Sequence, residues 1–245
     1  MITLITYPGL EGELSLSPFC TKAVYLLMLS GQSWHREDTN DPRKMPKQKL
    51  PAIRTADGQI IGDSDQIRLY LEARGADFQP GLTDIQKAVS RSWIRLAEEH
   101  LYFHLVLDRW GRDDVWPVIR ETYFKEIPRL LRKPIANGLR NTLIKGLRAQ
   151  GLGRLTSEER LDRVEQDLQA ISAVLWEGSF LMGAQVTLAD LSVAPMLRGM
   201  RTTPVDTPLT LRIRQDPVLS DYIDRVHAAA LGQPAGTTPE ASNTS

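Results

Sequence analysis

Apolar residues along the first seventy-odd positions switch between two spacings. Ile2 to Thr6 is a run of β-branched and apolar residues closed by Pro8-Gly9, which predicts a short strand. From Pro18 to Ser30 the residues Phe19, Ala23, Leu26, Leu27 and Leu29 keep helical spacing, and Gly31 suits the end of that helix. A second strand is expected near Trp34 to Glu37, followed by a polar Lys- and Pro-rich loop over 39–49. The stretch "PAIRTADGQII" then predicts a hairpin turning on Asp57-Gly58. Asp63 and Ser64 open a helix with Ile67, Leu69, Tyr70 and Leu71 mostly on one side and Gly75 past its end. The order is βαβ, then ββα.

Beyond position 82 no strand-like alternation of any length recurs. Thr83 to Gln86 forms a capping-box pattern ahead of a long helix reaching about Trp110. Thr156 to Glu159 repeats it before a helix whose Leu161, Val164, Leu168, Ile171 and Leu175 alternate spacings of three and four, an amphipathic packing face. Between them, 113–150 is basic and interrupted by proline, which predicts two shorter helices with a solvated cationic face. The simplest division is an α/β unit over 1–76, a linker over 77–84, an all-helical unit over 85–231 and a tail over 232–245 that has almost nothing to bury and is expected to be disordered.

Composition narrows the partners. Thirty Lys and Arg balance thirty Asp and Glu, so no net field gathers phosphate backbones, and nucleic acid is not an expected partner. Cys20 is the only cysteine, which excludes an internal disulfide framework and any multi-cysteine metal cluster. The opening "MITLITYPG" has no basic leader, and its apolar run is far short of a signal core or a membrane span. A soluble cytoplasmic protein is expected.

Three short stretches carry candidate chemistry. In "SLSPFC" Ser17 precedes a proline suited to a first helical turn, so it stands at a helix N-cap. Unpaired N–H groups and the positive end of the helix dipole converge there and would favour an anion such as a thiolate, unless the hydroxyl only caps its own helix. Lys49-Leu50-Pro51 opens a strand with a residue that cannot join the ladder. A cis Leu50-Pro51 bond there would leave the Leu50 backbone N–H and C=O to a peptide ligand. Asp63-Ser64 is either a plain N-cap or a place where carboxylate, hydroxyl and free amides hold an amino-acid head group. His100 and His104 share a helix face, but no third ligand stands out, so no metal is expected. Glu98-Glu99 reads most simply as a solvated helix face.

Taken in order, "SLSPFC", "KLPAI" and "GDSDQI", followed by a helical half containing "LMGAQVTLADLSVAPML", resemble the glutathione transferase superfamily over residues 1 to 231. "SLSPFCTK" is similar to its metaxin-like and failed axon connections branch, several of whose members are not established enzymes. The resemblance implies a thioredoxin-like N-terminal domain followed by a helical bundle, a homodimer, and glutathione as co-substrate. It places the cysteinyl backbone of glutathione at Leu50, the γ-glutamyl head on Asp63 and Ser64, and the thiol near Ser17 for attack on a small hydrophobic electrophile, a detoxification chemistry. Tyr7 is the rival for the thiolate, since several transferase classes use a tyrosine at the end of the first strand. Cys20 stands where a glutaredoxin-like motif has its second cysteine, which leaves thiol transfer as an alternative, although a lone cysteine in an apolar helix is usually inert. A non-catalytic binding or scaffold protein of the same fold is the other. Lys49 stands where many members have Gln, Thr187 and Asp190 form a structural capping box, and His100 and His104 could flank the electrophile pocket.

Overall fold

The structure is a computed structural model that describes residues 1–10 and 12–232. A four-stranded sheet in the order β2-β1-β3-β4 occupies the first part, built from β1 (Ile2–Thr6), β2 (Trp34–Asp38), β3 (Ala52–Arg54) and β4 (Ile60–Gly62). β1 runs parallel to β2 and antiparallel to β3, with Leu4 opposite Ile53, and β3 pairs antiparallel with β4 through Ile53 and Ile61. The crossover α1 (Pro18–Leu29) joins β1 to β2, as a parallel pair requires, and α2 (Ser64–Glu72) follows β4. Every residue of β1 is buried, which suits its near-continuous apolar sequence.

Among the described residues from Asp84 onward, apart from one isolated β-bridge between Phe180 and Gly183, the regular structure is helical: α3 (Asp84–Leu96), α4 (Tyr102–Val106), α5 (Trp116–Tyr123), α6 (Arg129–Gln150), α7 (Ser157–Glu177), α8 (Leu188–Arg201), α9 (Pro208–Arg214) and α10 (Pro217–Leu231). The α/β plus all-α architecture is the one expected. α3 and α4 form one continuous rod to Gly111, widened by π turns over Ala97–Leu101 and Leu107–Gly111. The basic stretch between 113 and 150 holds one short helix and one of 22 residues rather than two short ones. Gly232 closes α10 in the left-handed conformation that favours glycine; the rest of the expected tail lies outside the described residues.

One apolar core runs through both parts. Leu4, Tyr25 and Leu26 from the sheet unit join Met196, Leu197, Tyr222 and Val226 from the helical unit in a single cluster. α8 is buried along almost its whole length and packs on α1, α3, α9 and α10. Several long-range polar links cross the boundary, two of which tie the loop after β1 and α1 to α8 and α10. Tyr25 Oη and His227 Nδ1 lie 2.8 Å apart, and Glu13 holds Arg198 at 2.6 and 2.9 Å. The Phe78 carbonyl also accepts from Leu188 N–H at 2.9 Å, anchoring the connecting segment on the start of α8.

Candidate active site in the cleft between the two parts

The loop from Pro8 to Leu16 decides where the first helix begins. Ser15 Oγ donates to the Tyr7 carbonyl at 2.8 Å and accepts the Ser17 N–H at 3.3 Å, while Leu16 N–H reaches the Pro8 carbonyl at 3.0 Å. The loop therefore folds back on the end of β1. Gly9 permits that close return, because a Cβ there would fall on the Glu13 carbonyl oxygen. Ser17 has extended backbone at the N-cap of α1, and its side chain makes no capping hydrogen bond. The reading in which the hydroxyl merely caps its own helix does not hold. The first N–H groups of α1 lack intrahelical partners, as at any helix start.

Ser17 and Tyr7 both line a cavity of about 310 Å³ between the two parts. Leu16, Asn40 and Pro42 come from the sheet side, and Tyr102, Arg109, Trp110 and Tyr123 from the helical side. The wall is mostly aromatic and aliphatic, which suits a small apolar molecule with one polar group. Burial, with smaller contributions from Cys20, Tyr102 and Asp41, pushes the Tyr7 phenol up to about 12, so it stays protonated.

The second group of expected residues sits at the edge of this cleft's sheet unit. The Leu50-Pro51 bond is cis, and the ladder begins only at Ala52, opposite Ile5. Leu50 is buried, whereas Lys49 is exposed. Asp63 has φ 81°, a left-handed value that costs a non-glycine residue about 1–3 kcal/mol. Its N–H donates to the Pro51 carbonyl at 3.1 Å, and Oδ1 accepts from Asp65 N–H at 2.9 Å, capping α2. Ser64 is buried beside it. The lysine facing Asp63 is Lys47, with Nζ 3.7 Å from Oδ2, rather than Lys49. Lys47 and Gln48 both have φ 55°, a conformation that no glycine or asparagine announces.

Cys20 lies beneath Ser17, wholly buried among Ile5, Leu50 and Ala52 with Tyr7 and Met45 against them. Burial pushes its thiol up; the Thr6, Ser17 and Ser15 hydroxyls and the Tyr7 backbone pull it partly back. His100 and His104, which could have flanked the pocket, do not line it. His104 lines a separate cavity of about 210 Å³ with Asp108, Arg112 and Arg160, and His100 Nδ1 pairs with Asp167 Oδ2 at 2.6 Å. No third metal-binding side chain joins them among the described residues. Glu98 is not on a solvated face either, since it is buried against Lys22. Tyr102, Arg109, Trp110 and Tyr123 were not singled out in the sequence. Each belongs to an ordinary helical pattern, and only the docking of α3–α5 over the sheet brings them to Ser17.

Residues 18–115 match the glutathione S-transferase N-terminal domain and residues 156–225 the glutathione S-transferase, C-terminal domain. An isoprene-epoxide–glutathione S-transferase of Rhodococcus sp. (strain AD45) is 30% identical over 238 residues, covering 92% of this chain and 98% of its own. Failed axon connections of Drosophila melanogaster is 26% identical over 211 residues, covering 81% of this chain, which spans 50% of that protein. Among solved structures, the beta-etherase LigF of Sphingobium sp. strain SYK-6 shares the fold, with TM-score 0.65 at 18% identity over 94% of this chain and 97% of that one. The full-length likeness to the Rhodococcus transferase, with both halves matched in order, makes this chain a member of the glutathione S-transferase family.

Proposed function

We propose that the protein is a glutathione transferase that joins the glutathione thiol to a small electrophile of the epoxide class. The observation that carries this is the uncapped Ser17 hydroxyl at the start of α1, facing an apolar cleft with room for a second molecule. Leu50 supports the cysteinyl backbone, and Asp63 with Ser64 receives the γ-glutamyl head. Lys47, with Nζ 3.7 Å from Asp63 Oδ2, adds a cation beside that site. The epoxide class is taken from the name of the Rhodococcus relative.

Ser17 stabilises the thiolate by donating one hydrogen bond, and the helix dipole adds to it. A free thiol titrates near about 8.5, so lowering it by about two units raises the thiolate fraction at about pH 7.5 by about tenfold. Further acceleration comes from holding the electrophile beside the sulfur in the cleft. Tyr7 is a second donor to the same cavity. Thiol transfer through Cys20 is disfavoured by its complete burial, and the scaffold reading by the open cleft. The proposal includes a homodimer, which the family resemblance implies, and a cytoplasmic location, as the sequence reading expects. Glutathione-affinity retention followed by turnover of a small epoxide tests it. Failure to retain and failure to turn over any electrophile would end the enzyme reading.

A further inference from the structure

The cleft contains a cation that the thiol chemistry does not use. Arg109 sits in the π turn at the end of the α3–α4 rod and is only 6% exposed, yet no carboxylate pairs with it among the described residues. Its guanidinium is held by neutral oxygens. Nε donates to Thr203 Oγ1 at 3.1 Å and Nη2 to the Gly199 carbonyl. Nη1 donates to the Leu16 carbonyl at 3.4 Å and to Tyr123 Oη at 2.6 Å. A buried cation with no carboxylate in contact favours any negative charge that develops next to it. The nearest group able to take such a charge is the Tyr123 phenol, through a short charge-assisted bond.

Direction matters here. Because the Tyr123 oxygen accepts from Arg109, its own proton is left to point elsewhere, and it has no acceptor among the described residues. The phenol borders the cavity, and the same Nη1 that holds it also touches the carbonyl of Leu16, next to Ser17. A thiolate held at Ser17 and a proton donor at Tyr123 therefore face one enclosed space. Resting on the transferase reading above, we propose that Tyr123 is a catalytic acid for epoxide opening and that Arg109 is its positioning residue. The sulfur forms a bond to an epoxide carbon as that carbon's bond to oxygen breaks. The electron pair passes to the oxygen, which takes the Tyr123 proton. The phenolate left behind is stabilised by Arg109 and is reprotonated by water, while the thiol's own proton has already gone to solvent.

An epoxide needs this proton because its leaving oxygen would otherwise depart as an alkoxide; an aryl chloride expels chloride and does not. The test compares kcat/KM for styrene oxide with kcat/KM for 1-chloro-2,4-dinitrobenzene in the wild type, Tyr123→Phe and Arg109→Lys. General acid catalysis is worth about 10²–10⁴-fold, so the epoxide-to-chloride ratio is expected to fall about 10²-fold in Tyr123→Phe and to fall in the same direction in Arg109→Lys. A merely structural role would lower both substrates in proportion and keep the ratio, which overturns the assignment while leaving the transferase reading standing. A wild type active on the chloride alone overturns the epoxide class and this assignment together. A wild type active on neither overturns the transferase reading itself.

Discussion

Lys22 Nζ donates to Glu98 Oε1 at 2.6 Å across the boundary between the sheet unit and the helical unit, and the lysine side chain is 0% exposed. Ser192 Oγ donates to the same carboxylate oxygen at 3.1 Å, so α1, the first π turn and α8 meet at one buried charge pair. Joining α1 to the helical half, it clamps the relative placement of the two halves.

Breaking such a pair from one side leaves an uncompensated buried charge, at a cost of about 3–5 kcal/mol. Glu98→Ala should therefore lower the urea midpoint sharply, while Lys22→Met combined with Glu98→Leu should recover most of the loss. A double variant no more stable than Glu98→Ala would show that the pair's worth lies in its attraction rather than in mutual neutralisation.

Ser17 and Thr156 occupy the same position at two helix starts, yet only Thr156 accepts from the backbone, with Glu159 N–H at 3.2 Å. Thr156→Ala should cost about 1 kcal/mol in unfolding free energy. Ser17→Ala should change stability much less but raise the thiol pKa of bound glutathione, read from thiolate absorbance, and lower kcat/KM at about pH 7.5 by up to about tenfold. A Ser17→Ala protein with an unchanged thiol titration would transfer the role to Tyr7.

Cys20 should resist alkylation in the native protein. With its sulfur buried in a small apolar cluster and its thiol pushed upward, iodoacetamide labelling should proceed no faster than local opening. Rapid labelling of the folded protein would reopen the thiol-transfer reading.

Asp190 accepts from Leu181 N–H at 2.9 Å, Thr187 N–H at 2.8 Å, Thr187 Oγ1 at 2.9 Å and Tyr222 Oη at 3.0 Å. Asp190→Ala strands four buried donors around the start of α8. A loss of several kcal/mol is expected, at about 1–3 kcal/mol for each group left unpaired, and is checked by thermal unfolding. A midpoint within 2 °C of wild type would contradict this reading.

Stability should fall on the acid side of neutrality. Burial first, and neighbouring cations or His100 second, hold His104 at about 3 and His227 at about 4 in the folded protein, against about 6.5 when unfolded. Above about pH 6.5 both states are neutral and nothing is lost. As pH falls from there towards the folded values, the unfolded chain takes up protons that the folded one refuses. Asp190, Asp108 and Asp167, raised by burial, take up protons more readily in the folded state and soften the decline within the carboxylate range. Urea midpoints at pH 7.5 and pH 5 should differ, and His227→Gln should narrow the gap.

Local signals settled the element order, the three threonine-led capping boxes at Thr83, Thr156 and Thr187, and Ser17 at a helix start. Each depends on residues within about four positions of one another, so the chain carries them wherever it goes. Whether the Ser17 hydroxyl was free, whether Cys20 could react and whether Glu98 met water depended on partners far away in sequence. Lys22 finds Glu98 across 76 positions, and Arg109 reaches the residue before Ser17 across 93. A helix periodicity states which face is apolar but not what will cover it. The sequence by itself determined the strands, the order of sheet unit and helical unit, and the threonine-led caps; the 22-residue length of α6, the burial of charge, the aromatic cleft and the pairing of Arg109 with Tyr123 were decided only when the helical half closed over the sheet.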